Sequence, residues 1–177
     1  MIESIYWKEE LRRIAQSIRR VSKPARWSER SHCIIERDLM IGFFILRRLI
    51  ELHKVSTTTS QRTLNVFAYK ARGKKVTKLN GHDLPDVYEM EEEVAKLKTA
   101  TYMANQFIHA YTSLVERDET RNWSDVYVVS DYDKNDLIWR VPLTEVRDLF
   151  LKAADDYPRV MSFEFNEKRG DYDIKTN

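Results

Sequence analysis

The stretch LMIGFFIL, residues 39–46, is the most apolar part of this 177-residue chain. Its apolar side chains lie on nearly every side of a helix, which predicts a helix whose middle is buried on several sides. Ser28 suits the N-cap of this helix and Glu29 its first turn, and we expect the helix to run to about His53. Gly42 costs such a helix about 1 kcal/mol relative to alanine, and a close crossing with another helix would explain its presence.

Three further helices are predicted around this one. Residues 7–21 carry apolar side chains at alternating spacings of four and three, the stripe of a helix, and Pro24 ends it. Residues 91–115 carry a similar stripe and predict the third long helix. A shorter helix is expected over 144–156, with Thr144 as its N-cap.

Three β-hairpins are predicted from pairs of β-rich segments that flank short polar turns. The pairs are TLNVFAYK with KKVTKLN (63–70 and 74–80), DVYVVSD with LIWRVPL (125–131 and 137–143), and RVMSFEF with DYDIKT (159–165 and 171–176). The elements then follow the order ααβαβαβ. This order predicts an α+β fold of three long helices packed with antiparallel β-hairpins.

The composition is typical of a globular intracellular protein. Hydrophobic residues make up 42% and charged residues 33% of the chain. No composition shift divides it, so we expect one domain over 1–177, rich in helix over 1–115 and in hairpins over 116–177. The single cysteine, Cys33, is expected to be a buried thiol in a reducing compartment. Without a signal peptide or the roughly 20 apolar residues that cross a bilayer, the chain is expected in the cytoplasm, away from membranes.

Residue spacing excludes the familiar metal and nucleotide sites. Asp131, Asp133 and Asn135 match the first three ligand positions of a calcium loop. Asp136 and Pro142, however, replace the glycine and the glutamate that such a loop requires, so a charged turn is the better interpretation. The histidines and the cysteine lack zinc-ligand spacing, and the four glycines supply no phosphate-binding loop. We therefore expect neither a metal nor a cofactor.

NQFIHAY, residues 105–111, ends the predicted third helix and holds a histidine of chemical interest. His109 lies at the edge of the apolar stripe, and Asn105 is one turn earlier on the same face. A half-buried His109 bonded to a backbone carbonyl or to Asn105 would belong to the core, and its position alone favours this interpretation. A reactive His109 oriented by Asn105 would instead move protons near neutral pH.

The helix with Asn105 and His109 resembles the HEPN domains of bacterial toxins and defence proteins. Those domains are α-helical ribonucleases and RNA binders with an arginine a few residues before a histidine. The resemblance covers roughly residues 91–115 and implies a metal-independent ribonuclease, with His109 as acid or base and an arginine on the phosphate. That arginine is missing before His109, so Arg47 or Arg48 would have to supply it from a neighbouring helix. The later strands are foreign to a HEPN bundle.

A second resemblance covers most of the chain. The motifs WSERS (27–31), NQFIHAY (105–111) and KRGDYDI (168–174), in this order, are similar to a group of bacterial proteins of about this length with no assigned activity. The resemblance implies that the three motifs belong to one unit. Together with the HEPN-like helix, it implies an association with defence systems or mobile elements.

Basic and aromatic residues interleave in two segments, which predicts contacts with RNA phosphates and bases. The residues are Lys23, Arg26, Trp27 and Arg30 in the first segment, and Lys70, Arg72, Lys74 and Lys75 in the second. Structural interpretations compete with this one. Trp27 would be a hydrophobic staple, hairpin lysines would prevent edge pairing, and the basic N-terminal end would pair with the acidic segment 82–93.

The sequence lacks a complete catalytic set and so favours a non-catalytic binding or interaction protein that self-associates, most simply as a homodimer. The alternative is an RNA binder or a metal-independent ribonuclease that uses His109 with Asn105 and Arg47 or Arg48. A small-molecule-binding domain is a further alternative. A self-associating protein requires an exposed apolar patch, and a ribonuclease requires a groove that joins His109 to an arginine. A small-molecule-binding domain requires a concave pocket with convergent polar groups.

Overall fold

The computed structural model describes residues 3–177, which contain six helices and seven strands. The helices are α1 (Ser4–Ser17), α2 (Glu29–Glu51), α3 (Thr57–Ser60), α4 (Leu84–Val87), α5 (Ala100–Ile108) and α6 (Leu143–Asp155). The strands are β1 (Thr63–Lys70), β2 (Val94–Thr99), β3 (Ala110–Arg117), β4 (Trp123–Ser130), β5 (Leu137–Pro142), β6 (Met161–Asn166) and β7 (Asp171–Thr176). This mixture of elements confirms the α+β class.

Five strands form one antiparallel sheet in the order β2-β1-β5-β4-β3, and β6 and β7 form a separate two-stranded ribbon. Side chains alternate between the two faces of a strand, so a central strand can bury both. One face of the sheet, with Val66 and Val128, packs against α1, α2, α5 and α6. The opposite face, with Tyr127 and Ile138, packs against the segment 71–90, which contains α4.

Helix α2 is the centre of the helical layer. The Ser28 hydroxyl accepts a hydrogen bond from the backbone N–H three residues later at 3.1 Å, which confirms Ser28 as the N-cap. A methyl group at Gly42 would overlap the ring of Phe150 on α6, so a close helix crossing explains this glycine, as predicted. The next side chain, Phe43, stacks on Phe107 of α5 with ring centroids 3.9 Å apart. These contacts hold α5 and α6 against α2.

The long helix predicted over 91–115 is wrong, because this segment forms β2, α5 and β3 in turn. β2 pairs with β1 in antiparallel register, from Thr63 opposite Thr99 to Ala68 opposite Val94. Backbone pairing with β1 outweighs the helical propensity of the Ala, Leu and Lys residues in β2. Thr99 then starts α5, since its hydroxyl accepts a hydrogen bond from the backbone N–H three residues later at 3.2 Å.

Of the three predicted hairpins, the second and third are confirmed as β4–β5 and β6–β7. The first is wrong, because residues 74–80 form no strand and β1 pairs with β2 and β5 instead. Side-chain hydrogen bonds stabilise residues 74–80 as a loop. For example, the Val76 N–H donates to Asn135 Oδ1 at 2.9 Å.

Helix boundaries differ from expectation at three places. α1 ends at Ser17, before Val21, and α2 ends two residues before His53. Pro142 occupies the N-cap position of α6, which leaves the expected cap, Thr144, inside the first turn. Among the helices of residues 3–177, none combines the length and the apolar character that a bilayer span requires.

Candidate functional site

The outer face of α2 carries a line of cationic and apolar side chains, which we call the α2 track. Its members follow one another at alternating spacings of three and four residues, which places them on one side of the helix. They are Trp27, just before the helix, and Arg30, Ile34, Arg37, Ile41, Phe44 and Arg48. Trp27 is 61% exposed and Phe44 is 49% exposed. Large apolar side chains exposed together are a mark of a contact surface.

Around the N-terminal end of the α2 track, three cations have no acidic partner within residues 3–177. Lys23, Arg26 and Arg30 are exposed, and none of the ion pairs within residues 3–177 includes them. Trp27 lies among them and is too exposed to be the hydrophobic staple of α2. This end of the track is therefore a positively charged surface with an exposed indole.

A buried carboxylate holds the cation in the middle of the α2 track. Asp38, whose side chain is 1% exposed, pairs with Arg37 at 2.7 Å and with Arg13 of α1 at 3.3 Å. These charge-assisted hydrogen bonds fix the Arg37 guanidinium at the surface and offset part of its charge. Ile34 and Ile41 lie on either side of it and are exposed, so the middle of the track is mainly apolar.

The C-terminal end of the α2 track opens into a groove between α2 and α5, with a volume of about 320 Å³. Its walls are Phe44, Arg47, Arg48, Glu51, Ile108 and His109. Asn105 lies behind this wall, because its side-chain oxygen accepts a hydrogen bond from Arg47. The four residues named for the ribonuclease hypothesis thus meet at one place on the surface.

His109 is the C-cap residue of α5 and does not lie inside a long helix. Its backbone N–H donates to the Asn105 carbonyl at 3.1 Å, and its own carbonyl accepts from the Asp131 N–H at 3.1 Å. The backbone is therefore held on both sides, while the side chain is exposed at the groove. The interpretation of His109 as a half-buried core residue is wrong, because the packing of α5 leaves this position at the surface.

One carboxylate and two guanidinium groups set the charge of the groove. Glu51 accepts hydrogen bonds from Arg47 Nε at 2.8 Å and from Arg48 at 2.9 Å. The hydrogen bond from Arg47 is the main reason that the pKa of Glu51 lies below its usual range, and Arg48 adds to the effect. Glu51 is therefore ionised at neutral pH, and the three side chains together carry one positive charge.

The second basic segment found in the sequence is paired with acids of the same fold. Arg72 forms an ion pair of 2.6 Å, and Lys74 forms another, with two carboxylates of the segment 82–93. The acids of 82–93 therefore offset this basic segment and leave the N-terminal one free. Lys70 and Lys75 are exposed. The two basic segments thus differ in the charge they offer to an anion.

The acidic segment 131–136 is a turn between β4 and β5, as predicted. Its Asp133 carboxylate accepts hydrogen bonds from the Gln106 amide at 2.6 Å and from the Tyr102 hydroxyl at 3.2 Å. Asp133 therefore ties this turn to α5. In the part of the chain that the structure describes, no three His, Cys, Asp or Glu side chains form a group that could hold a metal ion.

Sequence reasoning misses three residues of this surface. Cys33, expected to be buried, is exposed one turn of α2 from Arg30. Phe44 lies inside the stretch expected to be buried on several sides, and only its alignment with the exposed cations distinguishes it. Glu51 could have been found, because it follows Arg47 by four residues, the spacing of a helical ion pair.

Comparisons of the chain with models of protein families, with curated proteins and with solved structures find no match. No relative therefore supplies a function. The function is inferred from the α2 track and from the groove at its end.

Proposed function

We propose that the protein binds single-stranded RNA along the α2 track, with one end of the strand in the groove beside His109. The observation that carries the proposal is the order of side chains on the track, where exposed aromatic rings and exposed cations share one face. Proteins that hold single strands combine these two groups, because bases stack on the rings and cations attract the phosphates. RNA would then be the partner of the non-catalytic binding protein that the sequence favours.

The α2 track has the length of a short oligonucleotide site. From Arg30 to Arg48 the helix advances about 27 Å, at about 1.5 Å per residue. This length suits roughly 4–8 nucleotides, which is within the range of single-strand sites. Trp27 and Phe44, near the two ends, would each stack a base. The unpaired cations near Trp27 and the net positive charge of the groove would attract phosphates at the two ends.

Other partners fit the α2 track less well. A second copy of the chain packed on the same surface would bring the arginines of the two copies, Arg30, Arg37 and Arg48, close to one another, and like charges repel. Helices that lie on membranes keep their apolar side chains together and their cations on the opposite face. On the α2 track, cationic and apolar side chains are instead mixed along one line. A single nucleic-acid strand likewise offers charged phosphates and flat apolar bases along its length.

The test is binding of a fluorescent single-stranded RNA of about 12 nucleotides over roughly 50–300 mM salt. We expect Trp27→Ala to weaken binding by about 5- to 100-fold through lost stacking. Arg30→Ala should lower the salt slope by about one, because one phosphate contact is lost. Lys152→Ala removes an exposed cation on α6 and is the matched control, with wild-type binding expected. Wild-type protein without salt-dependent binding would overturn the proposal.

A second candidate function, metal-independent RNA cleavage, is favoured by the presence of His109, Arg47 and Arg48 around one groove. The His109 imidazole would accept the proton of a ribose 2′-OH as that oxygen attacks phosphorus, and a water molecule would protonate the leaving 5′ oxygen. The P–O5′ bond breaks and leaves a 2′,3′-cyclic phosphate and a 5′-hydroxyl. The two arginines would stabilise the charge that develops on the phosphorus oxygens.

Incubation of RNA with the protein in EDTA separates binding from cleavage. Cleavage by wild-type protein, lost in His109→Ala, would support the ribonuclease. His82→Ala is the matched control, because His82 is an exposed histidine outside the groove. A cyclic phosphate on the product would support attack by the 2′-OH. Salt-sensitive binding without cleavage would leave the RNA-binding protein and reject the enzyme.

A further inference from the structure

We propose that the β6–β7 ribbon is the contact through which two copies of this chain associate. Side chains directly opposite each other on paired strands share one face of a sheet. Phe163 is opposite Ile174, and Phe165 is opposite Tyr172, so these residues and Met161 form one apolar side, which we call the ribbon face. Phe163 is 61% exposed, and Phe165 and Tyr172 are each 54% exposed.

Within residues 3–177, hydrogen bonds anchor one end of the ribbon to the rest of the fold. The Thr176 hydroxyl donates to the Val55 carbonyl at 2.8 Å, and the Thr176 N–H donates to Thr57 Oγ1 at 3.0 Å. At the other end, the rings of Phe165 and Tyr172 pack on each other with centroids 5.2 Å apart and stay half-exposed. A two-stranded ribbon is marginally stable in water unless its apolar face is covered. The exposed aromatic end therefore favours a covering partner.

The ribbon face carries no charged side chain, which favours a second copy of the chain as that partner. The face consists of Met161, Phe163, Phe165, Tyr172 and Ile174, together with the buried Thr176 at its anchored end, and carries no charge. Two identical faces can therefore meet around a two-fold axis without like charges coming together. Two copies of the α2 track would bring the arginines of both copies close together, so the track is the poorer surface for self-association.

The area of the ribbon face sets the expected strength of the dimer. Half of a Phe or Tyr ring offers roughly 100 Å² of apolar surface, and with Met161 the face offers about 400–500 Å² per copy. Two copies together bury about 1,000 Å² at most, which is the lower limit for a specific interface. We therefore expect a dimer with a dissociation constant in the micromolar range, seen only at raised protein concentration.

Sedimentation of the full chain from about 1 to 200 µM tests the ribbon contact, since this range brackets a weak dimer. Wild-type protein should change from monomer to dimer across the range. The double variant Phe163→Thr/Phe165→Thr should stay monomeric, because threonine keeps the strand but removes the rings. The matched control, Ser162→Thr/Glu164→Thr, places the same residues on the opposite side of β6 and should dimerise like wild type.

Two results would overturn the ribbon contact. One is wild-type protein that stays monomeric at the highest concentration. The other is a double variant that dimerises as strongly as wild type. If the double variant fails to fold by circular dichroism, the single variant Tyr172→Thr replaces it. This variant removes one half-exposed ring and should raise the dissociation constant by about tenfold.

Discussion

The guanidinium group of Arg47 donates a hydrogen bond to the side-chain oxygen of Asn105 and so joins α2 to α5. The same group donates through Nε to Glu51, one turn further along α2. Arg47 is thus held from two sides at the wall of the groove that also contains His109. A guanidinium that is already ordered loses less conformational entropy when it binds a phosphate.

Substitution of Asn105 therefore tests whether the orientation of Arg47 matters for RNA binding. Asn105→Ala keeps the pair of Arg47 with Glu51 but removes the bond to α5. We expect RNA affinity to fall by about 2- to 10-fold, because one hydrogen bond contributes about 0.5–1.5 kcal/mol. Asn105→Asp should weaken binding further, since its negative charge cancels the net positive charge of the groove. Fluorescence titration measures the RNA affinity of both variants. If both bind RNA as tightly as wild type, Arg47 does not contribute to the binding site.

The contact between Gly42 and Phe150 predicts a stability effect opposite to helix propensity. An alanine in an exposed helix is more stable than glycine by about 1 kcal/mol. At Gly42 the added methyl group would overlap the Phe150 ring, so we expect Gly42→Ala to lower the free energy of unfolding by about 1–3 kcal/mol. Urea denaturation measures this change.

A double-mutant cycle provides the control for Gly42→Ala. Phe150→Leu alone should destabilise the protein, because a buried ring is lost from the core. Combined with Gly42→Ala, it should recover part of the loss, since the smaller side chain makes room for the methyl group. Strictly additive effects would contradict the proposed overlap.

Elements marked by a capping residue or a turn glycine are the ones that the sequence predicts correctly. The N-cap at Ser28 marks the start of α2, and Gly170, with φ of 64°, supplies the left-handed turn between β6 and β7. β2 has no such signal. It is an edge strand with five of its six residues exposed, and its residues suit a helix until β1 offers backbone partners. Its conformation therefore depends on a tertiary contact that no local pattern contains.

The sequence likewise predicts one part of the candidate site and misses another. His109 and Arg47 can be selected as reactive residue types in two separate segments of the sequence. Their meeting in one groove depends on the packing of α5 against α2, where Phe43 stacks on Phe107. The exposure of Phe44 also depends on that packing, because apolar residues surround this part of α2 on nearly all sides. Local periodicity cannot tell which of those sides remains uncovered.

Asp156 gives the stability of the fold a predictable pH dependence. Its carboxylate accepts hydrogen bonds from the Ser56 hydroxyl at 2.6 Å and the Ser56 N–H at 2.8 Å, which ties the end of α6 to the start of α3. Burial by itself would raise the pKa of Asp156. Hydrogen bonds from Ser56 and Thr59, together with the charge of Lys8, outweigh burial and leave the pKa below its ordinary value.

A carboxyl group with a lowered folded-state pKa stabilises the fold above its unfolded pKa, and the stabilisation is lost as pH falls through the folded pKa. We therefore expect Asp156→Asn to be less stable than wild type at neutral pH and to lose less stability below a pH of about 4. Urea midpoints from acid to neutral pH measure both effects. Asp148→Asn, at an exposed position of α6, is the control. An acid dependence of Asp156→Asn as steep as that of wild type would contradict this role.

Cys33 allows a test of the α2 track without any substitution. Its thiol is exposed one turn of the helix from Arg30 and from Arg37, so we expect it to react with a maleimide in the native protein. Single-stranded RNA on the track would cover the thiol, and RNA at about ten times its dissociation constant should slow the reaction about tenfold. A duplex of the same sequence is the matched control, because its paired bases cannot stack on Trp27. Single-stranded RNA that binds tightly yet leaves the rate unchanged would move the binding site away from α2.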